Sequence, residues 1–178
     1  MTAAIVGTSL ALLTVFGAAQ AESPERAAEL VKLMNERAMT AIAAADPAEP
    51  GRFVAAMLAG PQLLVISARY SAPALLRERI LKSEFQQVYG DLHSAGDREG
   101  RVFIIDSSAD GLKLARESSD VSWRNSATNA IFNLDWKSQK LKEADYRRTY
   151  EEDEKAYAQM LGTLIGAIKS TSATSGQK

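Results

Sequence analysis

The sequence predicts an α+β domain: an antiparallel sheet of about five strands with two long amphipathic helices, N- and C-terminal, packed on it. Three observations carry this. Ser23-Pro24-Glu25 is a helix-start signal ahead of a spaced apolar face. Apolar runs near 62–70, 101–106 and 128–136 are separated by short turn-rich stretches, which suits a meander. Tyr146, Tyr150, Tyr157, Leu161, Leu164 and Ile168 recur at spacings built from three and four, the stripe of an amphipathic helix.

The segment 1–21 precedes all of these elements. It carries no Lys, Arg, Asp or Glu, holds an apolar run from Ala3 to Phe16, and ends in Ala19-Gln20-Ala21. A small-x-small end before the first charge, Glu22, is the pattern of a signal-peptidase site. Its basic n-region is reduced to the α-amino group. The apolar run falls short of the about 20 residues of a membrane span, so no stable span is expected after signal removal. The expectation is a periplasmic or secreted protein, with 22–170 as one domain and 171–178 as a flexible Ser/Thr/Gly-rich tail.

In the first helix, Ser23 is the expected N-cap, Pro24 fits the first turn, and Glu25 suits the positive end of the dipole. Leu30, Met34, Ala38, Ala41, Ile42 and Ala45 then share one helical face, and Asp46-Pro47-Ala48-Glu49-Pro50-Gly51 forms a linker. Arg52–Ala59 reads as a short helix broken by Gly60-Pro61. Gln62–Tyr70 reads as a strand. Its Leu63, Leu64, Val65 and Ile66 are apolar on both faces, which makes it central. Ser71-Ala72-Pro73 opens a helix to about Glu84, and Gln86–His93 follows as a strand. Arg101–Asp106 and Leu112–Ala115 read as a hairpin through a turn in which Gly111 takes positive φ. Val121–Arg124 and Thr128–Trp136 form the last hairpin, through Asn125-Ser126. The C-terminal helix runs from about Glu143 to Lys169.

Composition narrows the function. With 46% hydrophobic and 24% charged residues, the chain has ordinary globular usage. Lys+Arg 21 against Asp+Glu 22 leaves a net charge of −1, so nucleic acid is not an expected partner. There is no cysteine, hence no disulfide, no thiolate nucleophile and no lipoprotein anchor. No Gly-x-Ser-x-Gly elbow and no phosphate-binding glycine loop is present. His93 is the only histidine, so it would have to be the base of any Ser–His pair, and a poly-histidine zinc site lacks its parts.

Two constellations remain. Asp106, Ser108 and Asp110 stand at positions one, three and five of a loop that resembles an EF-hand, with Gly111 sixth and Glu117 twelfth. Against calcium stand a strand-like run before the loop, where a helix is needed, and Lys113 at the usually apolar eighth position. A plain turn is the favoured reading. Tyr89, Asp91 and His93 alternate along one strand and would share a face, as a polar pocket lining or as the wet side of a sheet. Arg101–Asp106 with Asp110-Gly111-Leu112-Lys113-Leu114 resembles the central hairpin of exported Cache and PAS-type sensor domains. That likeness, confined to this run, implies a sensor-like or accessory role. The expected function is a non-catalytic exported module binding a small ligand or a protein partner. The alternatives are a calcium-binding protein using the 106–117 loop and a hydrolase built on Asp91, His93 and Asp106.

Overall fold

The computed structural model describes residues 22–69, 102–112, 120–124, 129–132 and 143–175. Helix α1 spans Ser23–Glu36. Six strands follow: β1 Ala41–Ala45, β2 Arg52–Ala59, β3 Gln62–Arg69, β4 Val102–Asp106, β5 Val121–Arg124 and β6 Asn129–Phe132. Helix α2, Glu143–Ser175, closes the chain. The sheet is wholly antiparallel in the order β1-β2-β3-β4-β5-β6, a meander. The α+β class and the antiparallel sheet are as the sequence predicts, with six strands among the described residues where about five were expected.

The N-terminal third departs most from expectation. The first helix does not continue to Ala45. It stops at Glu36 in a Schellman motif, in which Met39 N–H donates to Met34 O at 2.8 Å and Ala38 N–H to Asn35 O at 3.1 Å. Ala38 sits there at φ 51°, a left-handed position taken without the usual glycine. The residues expected to extend the helix, Ala41–Ala45, form β1 instead. Arg52–Ala59 is not a helix but β2, paired along its whole length with β3. Both segments are alanine-rich, and alanine's helix preference is outweighed by pairing on both sides of β2. Asp46–Gly51 is not a linker but the β1–β2 turn, in which Asp46 Oδ1 accepts the Ala48 N–H at 2.9 Å and Gly51 takes φ 80°. Gly60-Pro61 is the two-residue connection of the β2–β3 hairpin, with Gly60 at φ 59°.

Strand β3 is central, as its sequence implied. Six successive residues, Leu63–Ala68, are buried. One side contributes Leu63 and Val65 to a core with α1 and α2, and the other contributes Ile66 and Ala68 to a cluster with Ala55 and Phe103. On the helix-covered side, cross-strand neighbours align in rows. Ile42, Ala56, Val65, Ile104 and Ser122 form the middle row, with Leu58, Leu63 and Asp106 towards one end and Ala44, Val54, Ser67 and Val102 towards the other.

The predicted C-terminal stripe packs here. Tyr150, Tyr157, Leu161, Leu164 and Ile168 are buried. Each fully buried apolar side chain of this size contributes about 1.5–3 kcal/mol relative to exposure. Helix α2 runs on to Ser175, into the stretch expected to be tail. The two helices lie parallel. Arg26 Nη1 donates to Ala158 O and Arg37 Nη1 to Ile168 O, each at 2.8 Å, while Lys169 pairs with Glu29.

Of the expected hairpin Arg101–Asp106/Leu112–Ala115, Arg101 and 113–115 lie outside the described residues. Leu112 is not in a strand, and β4 pairs with β5. The last hairpin is present as β5 with β6, although its expected extension to Trp136 lies outside the described residues. The signal segment 1–21, the helix 73–84 and the strand 86–93 also lie outside them.

Candidate functional site

Polar side chains collect at both ends of the helix-covered face. At the β4 end, Asp106 is fully buried. Its Oδ1 accepts the Asp110 N–H at 3.0 Å, and its Oδ2 accepts the Gly111 N–H at 2.7 Å and the Tyr157 hydroxyl at 3.0 Å. Burial, reinforced by the nearby Asp120, pushes the Asp106 carboxyl above its usual range, although the three donors pull the other way. Burial beside Asp106 likewise drives the Tyr157 hydroxyl well up, so it stays protonated as a donor. Asp120 Oδ1 accepts the Ser107 N–H at 2.9 Å.

The loop is also tied to α1. Leu112 N–H donates to Ser23 Oγ at 2.9 Å, and Ser23 N–H donates to Glu154 Oε1 at 2.7 Å. Ser23 is therefore not the N-cap; Glu22 holds that position with no side-chain cap bond. The Ser23 hydroxyl is spent on a tertiary contact, and an acidic side chain of α2 takes one of the first helical N–H groups.

This arrangement defines what the calcium-like residues do. Both Asp106 oxygens serve the protein's own backbone and Tyr157, in a turn whose carboxylate organises the loop. Ser108 is exposed, Asp110 is half-buried, and Glu117 lies outside the described residues. Among the described residues no group of three or more His, Cys, Asp or Glu converges to hold a metal. Tyr89, Asp91 and His93 lie outside the described residues.

The opposite end holds a cleft of about 980 Å³ between α2 and the rim where β1 ends and β2 begins. Its walls are aliphatic and small: Ala44, Val102, Met160, Gly166 and Ala167 among them. A Cβ built on Gly166 meets nothing within 4 Å, so the helix wall is open at that point. Arg52 and Ser67 contribute the buried polar groups, 7% and 4% exposed, with Arg52 Nη1 donating to Ser67 Oγ at 3.3 Å. Arg52 Nε donates to Glu49 Oε2 at 2.7 Å, and Arg69 Nη2 donates to Glu49 Oε1 at 2.8 Å. A guanidinium this far from water needs such a partner.

The hydrogen bonds from Arg69 and Arg52 hold the Glu49 carboxyl below its usual range. A lowered folded-state pKa gives stability that is present above the unfolded value and lost as pH falls through the folded one. The Glu49 side-chain carbon signal is accordingly expected to titrate below the about 4.3 of a free Glu. The Glu49→Gln variant should lose the matching part of the acid limb of the stability curve. A Glu49 midpoint at or above the free value would contradict the double pairing.

Sequence reading missed Arg52, Ser67, Glu49 and Arg69. The available signal was a charged pair three residues apart, Glu49 and Arg52, directly before the run Phe53–Ala59. Reading that run as a helix separated Arg52 from Ser67, which only the β2–β3 register brings near it.

Compared with known proteins, the chain matches no family model, no curated protein and no solved structure. No helix among the described residues is long and apolar enough to cross a membrane.

Proposed function

We propose that this chain is an exported, non-catalytic module that binds a small ligand in the cleft between α2 and the β1–β2 rim. The observation that carries the reading is the cleft itself: about 980 Å³, aliphatic walls, and a buried Arg52–Ser67 pair. Ligand sites are typically concave spaces of about 300–1,000 Å³ with a few fixed polar groups in apolar walls. The sequence adds that thiol chemistry lacks its nucleophile, with no cysteine, and that one histidine would have to serve any Ser–His pair. Export rests on the uncharged segment ending Ala19-Gln20-Ala21.

The test is a thermal-shift screen of periplasmic and extracellular small molecules against the protein and its Gly166→Leu variant. A ligand at about 100 times its Kd adds roughly 2.7 kcal/mol of stability. At least one compound is expected to stabilise the parent, and Gly166→Leu, which fills the cleft from an unobstructed position, should abolish the effect. A screen without any cleft-dependent binder, or robust turnover of a screened compound, would overturn the reading.

A further inference from the structure

Granting that the cleft binds a small ligand, we propose that the ligand is an uncharged aliphatic molecule with a carbonyl acceptor, of the ketone or ester kind, held by the Ser67 hydroxyl. The charged side chains of the described lining already have partners. Glu49 is held by Arg52 and Arg69. Arg52 is buried, gives Nε to that carboxylate and Nη1 to Ser67, and has further interactions besides. Arg26 donates to Ala158 O and to Glu22 Oε2, and Asp46 Oδ1 accepts the Ala48 N–H. An ionised head would give up its water for a place whose charges already answer to one another, and that desolvation is costly in an apolar cleft. An uncharged head avoids the cost.

The walls set the body of the ligand. Ala44, Val102, Met160 and Ala167 offer aliphatic contact, and the described lining contains no aromatic ring on which a flat ligand could stack. Ser67 sets the head. It stands on the central strand β3, buried, and lines the cleft. Its oxygen accepts from Arg52 Nη1 at 3.3 Å. A hydroxyl also has one proton to donate, and among the described residues no acceptor takes the Ser67 proton. The guanidinium bonded to the oxygen polarises the O–H and strengthens it as a donor. A buried donor calls for an acceptor, since leaving it unmet costs about 1–3 kcal/mol. A ligand carbonyl oxygen meets it without bringing a charge.

The experiment is calorimetry on the protein at pH 7 with 2-octanone, octanoate, octylammonium and, as an aliphatic probe without an acceptor, cyclohexane. The ketone is expected to bind about tenfold more tightly than either ion. Ser67→Ala, a mild change with folding checked by circular dichroism, should weaken 2-octanone several-fold, the share of one hydrogen bond, and leave cyclohexane unaffected. Gly166→Leu should abolish the binding of both. An ion binding as tightly as the ketone would overturn the uncharged class while leaving a binding cleft. A ketone affinity untouched by Ser67→Ala, or lowered equally with that of cyclohexane, would overturn the carbonyl head. Failure of all four probes, with a different compound stabilising the protein in a Gly166-dependent way, would overturn this ligand class alone. Failure of the probes and of the whole screen would overturn the binding reading with it.

Discussion

Gly111→Ala is expected to destabilise the protein by about 3–5 kcal/mol, from backbone strain and overpacking acting together. Gly111 has φ 86°, where an L side chain is strained. A Cβ there would also lie 2.3 Å from Pro24 N, 2.5 Å from Pro24 Cα and 2.7 Å from Ser23 C. These are backbone atoms of the first turn of α1, so no rotamer change relieves them. The loop would have to move, which breaks the Gly111 N–H bond to Asp106 and the Leu112 N–H bond to Ser23. Urea unfolding should show the loss as a lower midpoint with an unchanged slope. For a chain of this size it corresponds to a fall in Tm of roughly 6–20 °C. Gly60→Ala is the control, because Gly60 has positive φ but open space around its Cβ, and strain alone gives about 1–2 kcal/mol. Equal losses at the two positions would show that the approach of Gly111 to α1 carries no weight.

Asp106→Ala is expected to cost a similar amount, about 3–5 kcal/mol, because it strands buried donors at about 1–3 kcal/mol each. The Asp110 and Gly111 N–H groups and the Tyr157 hydroxyl all lose their acceptor at once. Tyr157→Phe removes one donor and leaves the carboxylate with its backbone partners, so about 1 kcal/mol is expected. The double variant should lose less than the sum, since both changes touch one network. Asp106→Asn should fall between, keeping one acceptor oxygen in place.

The pH sign is the reverse of the usual paired carboxylate. The folded pKa of Asp106 is raised, so its contribution is full below the unfolded value of about 3.9 and declines as pH rises through the folded value. The difference in stability between Asp106→Asn and the parent should therefore be largest in acid and shrink towards neutral pH. The same variants address calcium. With both Asp106 oxygens organising the loop, calcium should leave the parent's Tm unchanged. A micromolar calcium response lost in Asp106→Ala would make the loop a calcium site.

What was legible in the sequence depended on whether local pattern and tertiary environment agreed. The stripe from Tyr150 to Ile168 was legible because α2 covers the sheet with one side and meets water with the other. Strand β3 was legible because burial on both sides leaves an unbroken β-branched and leucine run. Strand β2 was not. It too is largely buried on both sides, but its Phe53-Val54-Ala55-Ala56-Met57-Leu58 run has no period of two and ends in Ala55-Ala56-Met57-Leu58, residues that favour helix. The end of α1 was hidden for a related reason, because a left-handed Ala38 gives no glycine signal.

The candidate sites divide in the same way. Asp106 and Gly111 stood out as a turn, since Asp-x-x-x-Asp-Gly is local chemistry, and the structure keeps that role while adding Tyr157 and Ser23 from far along the chain. By itself, the sequence determined the class of fold, the central strand, the long C-terminal helix and the turn at Gly111, all of which follow from residues within a few positions of each other. Only the tertiary structure decided that Ala41–Ala45 and Arg52–Ala59 are strands, and that Arg52, Ser67 and Glu49 meet in one cleft. Strand pairing and buried charge are settled by partners distant in sequence, whose contribution outweighs local preferences worth only tenths of a kcal/mol to about 1 kcal/mol per residue.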